Sequence, residues 1–470
     1  MNNLKIASTN YEKSNCKIGF VHLGFGAFHR AHQSVYIDDY MDLTGDLSWG
    51  IAAVNLKKED SDEFNSIALN NDGYLLKTTT PKGIKSLRIV RPHINFLDWS
   101  KTPSKAENLF GKSSVKAASI TVTESGYYLN DDWSLDAKNP IINGEITGTK
   151  KLSIYAYLLS ALKYRMETIN QPITILSCDN IRSNGDILKK NFYKYLKLKK
   201  ENLLSEWVIK KVTFPNSMVD RITPRSTKEL REEVWKLSNE LAPTAIHSES
   251  FIQWVVEKKF VSSMPALNKV NVEFVDNVHP YEEAKIRILN GGHTALCYLG
   301  ALSGYNTFDE IMTDPNLRFH FYGFETENVP PSIRTELPFD KYNYRDLIAE
   351  RFSNKAIADE LSRICMDGWS KFPIFIRPTM ESCLDQNISP KWCYESIASW
   401  YIYARRFLEG KMHIKYVEPY WDQLEPLLKR GQEKTFSSLP KLWGYLPYKF
   451  NEFSPKIQEA ILRIDKKWPN

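Results

Sequence analysis

The stretch Lys17-Ile-Gly-Phe-Val-His-Leu-Gly-Phe-Gly-Ala-Phe-His-Arg-Ala-His-Gln33 joins a short apolar run to two spaced glycines and then to a helical pattern reaching about Met41. Strand, glycine turn and helix in that order make the opening of a dinucleotide-binding unit. Gly24 permits the tight turn and Gly26 lets a pyrophosphate approach the backbone, while the helix start offers unpaired N–H groups to the anion. Gly24, Phe25, Gly26, Ala27 and Phe28 are therefore the expected cofactor contacts. His29 stands where the third glycine of G-x-G-x-x-G would be, so the fingerprint is incomplete.

Outward from this turn, strand and helix alternate. A second strand is predicted at Trp49–Leu56, and others at about Arg88–Val90, Ala117–Thr123 and Ile173–Ser177, the last after an amphipathic helix near Lys151–Arg165. The pattern predicts a mainly parallel, doubly wound sheet. An acidic residue after the second strand commonly binds the ribose of NAD, which nominates Glu59 and Asp60. Their distance from the glycines exceeds the usual spacing of about 20 residues, and Lys57 and Lys58 leave room for a 2′-phosphate. NAD is favoured, with NADP kept open. Two polar stretches fall at strand ends, Thr123-Glu-Ser-Gly-Tyr-Tyr128 and Ser177-Cys-Asp-Asn-Ile-Arg-Ser-Asn-Gly185. Ligands of such sheets bind beyond the carboxyl ends of the strands, so both stretches are candidates to line a site. Asx residues are equally suited to capping and turns, a role that competes evenly for Asp179 and better explains Asn184.

After about Pro280 the pattern becomes helix upon helix, with helices expected over Arg345–Phe352, Ala356–Met366, Lys391–Leu408 and Ser454–Lys467. The boundary is placed near Val278-His-Pro-Tyr281, where Pro280 suits a helix start. Residues 1–279 then form a Rossmann-type dinucleotide-binding domain with extensions, and 280–470 a mostly α-helical substrate and catalytic domain. The helical domain opens with Tyr281-Glu-Glu-Ala-Lys-Ile-Arg-Ile-Leu-Asn-Gly-Gly-His-Thr-Ala-Leu-Cys-Tyr-Leu-Gly300, which is expected to face the nucleotide domain across a cleft. At 100° per residue, Asn290 falls roughly 140° from Lys285, and His293 roughly 80°. A base, an amide and an imidazole able to look into one cleft suit proton transfer from an alcohol. Asn290-Gly291-Gly292 is also a strong turn signal, so the segment alone reads rather as an apolar helix interrupted by a turn.

Composition narrows the class. At 470 residues the chain is too long for one core, and 42% hydrophobic with 25% charged residues is ordinary for a globular protein. The net charge of +6 is dispersed among acidic residues and leaves no nucleic-acid footprint. No run approaches the ~20 apolar residues of a membrane span, and the polar N-terminus lacks a signal-peptide core. Six scattered cysteines without a CxxC pair predict reduced thiols and a cytoplasmic setting. His29-Arg-Ala-His32 has a metal-like spacing but no acidic or sulfur partner nearby in sequence, so no metal is expected. Nothing compels an interface; a monomer or weak homo-oligomer is expected.

Taken together, these motifs resemble the polyol-specific long-chain dehydrogenases, a family that includes mannitol 2-dehydrogenase, D-arabinitol 4-dehydrogenase and fructuronate reductase. The resemblance rests on Gly24–Gln33, Thr121-Val-Thr-Glu-Ser-Gly-Tyr127, Ser177-Cys-Asp-Asn180, Met218-Val-Asp-Arg-Ile-Thr-Pro224 and Phe251-Ile-Gln-Trp-Val-Val-Glu257. It continues through Lys285-x4-Asn290-x2-His293 and ends in Arg363-Ile-Cys-Met-Asp-Gly-Trp-Ser-Lys371-Phe-Pro. It implies metal-independent, NAD-linked oxidation of a secondary alcohol on an open-chain sugar alcohol. The family's general base falls on Lys285, whose pKa must drop from about 10.4 through burial or nearby positive charge. Asn180 and Asn290 would donate to the developing alkoxide, His293 would orient the reacting hydroxyl, and Glu124 would relay the proton to water. Family substrate contacts fall on Asp220, Arg363 and Lys371; without the resemblance, these read as a surface ion pair and a solvated lysine. Gly292 stands where many members have Ser, and Gly291 and Gly292 are expected to let the substrate or nicotinamide approach the backbone.

The leading expectation is interconversion of D-mannitol or D-arabinitol with the ketose. The alternative within the family is fructuronate reductase, acting on D-mannonate, for which Arg363 or Lys371 would have to pair with the carboxylate. An alternative of another class is a nucleotide-binding sensor or scaffold without catalysis, against which the intact Lys285, Asn290 and His293 set argues. A zinc-dependent alcohol dehydrogenase lacks its Cys and His ligands here.

Overall fold

The computed structural model describes residues 5–70, 72–130, 132–148, 150–224, 226–236 and 244–467. The chain divides into two compact units, Met1–Thr80 with Ile84–Val278, and Pro81–Gly83 with His279–Asn470.

The first unit is built on a six-stranded, wholly parallel sheet: β1 (Ile18–Leu23), β2 (Gly50–Asn55), β3 (His93–Asp98), β4 (Ala117–Ile120), β5 (Ile173–Ser177) and β6 (Val212–Thr213). Its order is β3-β2-β1-β4-β5-β6, the doubly wound arrangement with its switch point between β1 and β4. Parallel strands are buried on both faces, and β1, β2, β4 and β5 are accordingly near-continuous apolar runs without alternation. Leu23 lies in register with Val54 of β2 and Ile120 of β4, so the carboxyl ends of the central strands finish level. Helices α1 (Ala27–Ala31) and α2 (Gln33–Thr44) follow β1. The amphipathic helix predicted near Lys151–Arg165 is α3 (Ile154–Thr168), started by the Ser153 hydroxyl accepting from the Ala156 N–H.

The strand predicted at Arg88–Val90 belongs elsewhere. It is part of Lys85–Val90 in a separate four-stranded sheet, between Ile6–Ala7 and the antiparallel Tyr74–Thr79, with Ile246–Glu249 on the far side. The edge of the doubly wound sheet is instead β3, three residues further on. Pro92 has no N–H to donate and separates the two strands, while its carbonyl accepts from Ile51 N–H of β2 at 2.9 Å.

The second unit is helical. Gly291–Leu302 (α4) buries ten of its twelve residues, Gly291, Gly292, Thr294, Ala295, Leu296, Cys297, Tyr298, Leu299, Gly300 and Ala301. It packs against Lys391–Leu408 (α5), which packs in turn against Phe453–Lys467 (α6). The helix expected over Ala356–Met366 shrinks to Leu361–Ile364. Ala358 takes a left-handed φ of 45°, and Glu360 is extended and bridges Thr307, so the helix begins only at Leu361.

One close approach makes a sharp test of the first unit. Gly185, at the start of Asn184–Leu198, lies where an added Cβ would meet the carbonyl oxygens of Pro215 and Phe214 at 2.4 and 2.5 Å. Backbone cannot swing aside as a side chain can. Gly185→Ala is expected to lower stability by about 1–3 kcal/mol, read as a fall in the thermal midpoint.

Candidate active site

In the first unit, the ends of β1, β2, β4 and β5 supply candidate residues. Gly24 leaves β1 at φ +93°, and an added Cβ would lie 2.1 Å from the Thr121 carbonyl oxygen, so only glycine fits. Gly26 caps α1 in extended backbone, with no atom within 4 Å of an added Cβ. The turn therefore sits at the switch point with open space beside Gly26, a cradle that fits a dinucleotide pyrophosphate. Glu59 and Asp60 are exposed beyond the end of β2.

The other two ends are tied together by Asp179. Its carboxylate accepts from the Val122 and Thr123 N–H groups at 2.9 and 2.8 Å and from the Tyr127 hydroxyl at 2.7 Å. Burial pushes its pKa up to about 6 against the pull of these hydrogen bonds. Asp179 is thus a brace joining the end of β5 to the turn after β4. It brings the neighbouring exposed residues Glu124 and Asn180 to one edge of the sheet. Asn184 donates to the carbonyls of Asp179 and Ser217, at 3.1 and 2.8 Å, and is structural. Asp220 is buried at the end of Ser217–Asp220, a strand paired antiparallel with Gln253–Glu257. The two histidines with metal-like spacing have other partners. His29 lies 3.0 Å from His93 Nε2, and His32 Nε2 bonds the Gln253 carbonyl at 2.8 Å.

In the second unit, the turn signal at Asn290-Gly291-Gly292 is overridden. The chain runs helically through it: His279–Ala284, a π-helical turn over Lys285–Asn290, then α4. A π turn closes i→i+5 hydrogen bonds, so the fifth residue on returns towards the face of the first. Asn290 therefore comes round towards Lys285, instead of sitting the roughly 140° away expected of an α-helix. Lys285 is 8% exposed.

The two glycines do not open the backbone to a ligand. Both are buried, and at Gly292 an added Cβ would meet Glu325 Oε1 at 2.9 Å, Phe321 at 3.3 Å and Phe352 at 3.4 Å. The protein's own side chains fill the space expected for substrate or nicotinamide. His293 is held in an aromatic slot, stacked on Phe352 with centroids 4.1 Å apart and edge-on to Phe308 at 4.8 Å. Burial, reinforced by the positive charges of Arg363, Arg351 and Lys371, holds its pKa well below the usual value. The ring is neutral at working pH, and its enclosed Nε2 lacks a hydrogen bond among the described residues.

The expected substrate contacts in this unit are both engaged. Asp359 grips Arg363, Oδ1 accepting from Nε at 2.9 Å and from Nη2 at 2.5 Å, and Oδ2 accepting from Nη2 as well. Lys371 Nζ donates to the Ile364 carbonyl at 2.7 Å, and burial lowers its pKa. Asp359 itself escaped the sequence reading, although its i,i+4 spacing to Arg363 was a usable signal. Glu325 had no such signal, because its importance lies in packing behind Gly292. Among the described residues, no group of three or more His, Cys, Asp or Glu is placed to hold a metal ion. All six cysteines are free thiols, and among the described residues no helix is long and apolar enough to cross a membrane.

A doubly wound sheet with a glycine turn at its switch point, followed by a helical unit carrying lysine, amide and imidazole on one segment, has known counterparts. The mannitol dehydrogenase Rossmann domain matches residues 18–269 and the mannitol dehydrogenase C-terminal domain residues 277–443. The chain is 34% identical over 371 residues to a D-arabinitol 4-dehydrogenase of Ralstonia nicotianae, covering 79% of each protein. It is 30% identical to a polyol:NADP oxidoreductase of Gluconobacter oxydans, over 95% of this chain and 93% of that protein. The mannitol 2-dehydrogenase of Pseudomonas fluorescens, solved as a ternary complex with NAD and D-mannitol, superposes with a TM-score of 0.87 at 28% identity, covering 98% of this chain and 94% of that one. The chain belongs to the mannitol dehydrogenase family of polyol oxidoreductases.

Glu325 gives a pH-dependent test. Both its oxygens are buried without hydrogen bonds among the described residues, and burial raises its pKa well above the usual value, against the pull of Arg345 and Arg287. A folded-state pKa above the unfolded one means that the folded state holds the extra proton, so stability falls as pH rises from the unfolded value of about 4.3 towards the folded one. Glu325→Gln stays neutral throughout. Its thermal midpoint, relative to the wild type, is expected to climb between pH 5 and pH 8; a constant difference would show Glu325 to be ionised in the fold.

Proposed function

We propose that the chain catalyses NAD-linked oxidation of a secondary alcohol on an open-chain sugar alcohol, D-mannitol or D-arabinitol, and the reverse reduction of the ketose. The observation that carries this reading is the grouping of buried Lys285, Asn290 and enclosed, neutral His293 within nine residues of one helical segment. A bound nicotinamide dinucleotide supplies the hydride acceptor. Lys285, in its neutral form, takes the proton of the reacting hydroxyl. Asn290 donates to the alkoxide as charge develops on it, and Asn180 has the same donor role. The neutral His293, held in its aromatic slot, orients the hydroxyl. Glu124 relays the proton onward to water. Asp220, Arg363 and Lys371 take the remaining hydroxyls of the chain. No step requires a metal ion.

The cofactor is NAD, supported by the NAD-bound mannitol 2-dehydrogenase and by the acidic Glu59 and Asp60 beyond β2. The polyol:NADP relative and the exposed Lys57–Lys58 pair make the comparison with NADP worth measuring.

Steady-state rates with D-arabinitol, D-mannitol and D-mannonate, each under NAD and NADP, test the reading directly. The polyols with NAD are expected to give the highest kcat/KM; a clear preference for mannonate would make the enzyme a fructuronate reductase. Lys285→Ala is expected to lower kcat by about 10²-fold or more with NAD binding retained, and an unchanged rate would remove Lys285 from the mechanism. Full activity is expected after exhaustive chelation, and a loss restored by added zinc would contradict a metal-free mechanism.

A further inference from the structure

A site for a neutral, many-hydroxyl ligand and a site for its acid differ most in their uncompensated positive charge. The second unit places three cations around His293, namely Arg363, Arg351 and Lys371, each of which contributes to holding the imidazole neutral. Of these, Arg363 is the outward one, with a side chain 56% exposed, and it is the natural partner for an incoming carboxylate.

That partnership is already taken. Asp359 is buried, its side chain 7% exposed, and both its oxygens accept from the guanidinium. Backbone pairing fixes the carboxylate in place. The Phe308 N–H donates to the Asp359 carbonyl at 2.9 Å, the Leu361 N–H to the Asn306 carbonyl at 2.9 Å, and Glu360 bridges Thr307. The same Phe308 ring forms one wall of the His293 slot. Asp359 Oδ2 lies 3.9 Å from His293 Nε2, too far for a hydrogen bond but close enough to set the charge facing the imidazole. Lys371, the other candidate for a carboxylate, is turned to the Ile364 carbonyl.

We propose that Asp359 is a specificity-determining residue: by neutralising Arg363 beside His293, it fits the site to an uncharged polyol and excludes the corresponding aldonate. Arg363 keeps its Nη1 edge for a hydroxyl oxygen, a neutral acceptor, while an approaching carboxylate meets the negative charge of Asp359 within the same ion pair. The inference rests on the polyol reading above and names the group that enforces it.

The test compares the Ki of D-mannonate, as a competitive inhibitor, with the KM of the best polyol. In wild type the acid is expected to bind far more weakly than the polyol. Asp359→Asn keeps the shape, removes the charge and unmasks Arg363. It is expected to tighten mannonate by about tenfold relative to the polyol, with a salt dependence that wild type lacks. Arg363→Gln serves as the reciprocal variant, and the only one needed if Asp359→Asn does not fold. It leaves the buried carboxylate unpaired and is expected to weaken mannonate more than it raises the polyol KM. A mannonate-to-polyol ratio within about twofold of wild type in whichever of these variants folds would overturn the role of Asp359 while leaving the polyol reading intact. A wild type that turns over mannonate in preference to polyols would overturn both.

Discussion

The second unit depends on an interior constraint at Gly292. A helix carrying the proposed base, amide and imidazole must pass over a buried carboxyl group and two phenyl rings, and it does so at a residue whose side chain is absent. Glu325, Phe321 and Phe352 press against that point, and Phe352 continues upward to become the floor on which His293 stacks. Packing and chemistry are therefore coupled through a few side chains. The ring that excludes bulk from position 292 also keeps the imidazole in a dry, neutral state. Because the surroundings are protein rather than ligand, orientation is set before anything binds, which is how preorganised sites avoid reorganisation during reaction.

The first unit solves a related problem with a charge. Strand ends in a doubly wound sheet are where ligands bind, yet they are also where backbone N–H groups lose their ladder partners. Asp179 satisfies two of these, at Val122 and Thr123, and holds the Tyr127 hydroxyl as well. The cost is a carboxyl group buried in a place that raises its pKa, offset by three hydrogen bonds. Glu124 and Asn180 are each next to a residue in this brace and inherit their placement from it.

Much of this was legible in the sequence, because long apolar strands and capped helices declare themselves locally. The glycine turn, β1, β2, β4, β5 and the long helices α5 and α6 all follow from periodicity and from glycine or proline punctuation. Less legible was anything decided at a distance. The Lys85–Val90 strand reads like the others and differs only in its partners. Asn290-Gly291-Gly292 carries a turn signal that a buried helix simply overrides, since the packing of ten residues of α4 outweighs the propensity of two glycines. The proposed base, amide and imidazole are legible only through a motif. Asp359 was reachable through its i,i+4 spacing to Arg363 and was missed. Glu325 was invisible, because nothing in the residues around it reports that it lies behind another helix.

The π turn at Lys285–Asn290 is accompanied by two more in the same unit, Phe324–Asn328 and Phe372–Ile376, among the described residues. Each such turn accommodates one residue more than regular α-helix would, because its hydrogen bonds close i→i+5 instead of i→i+4. The register of this segment is consequently a matter of chain length as much as of residue type. If the same residues relaxed to the α form with none lost, Asn290 would swing to roughly 140° from Lys285 and off its face. The extra residue in the turn is thus what lets two positions five apart share one face of the helix.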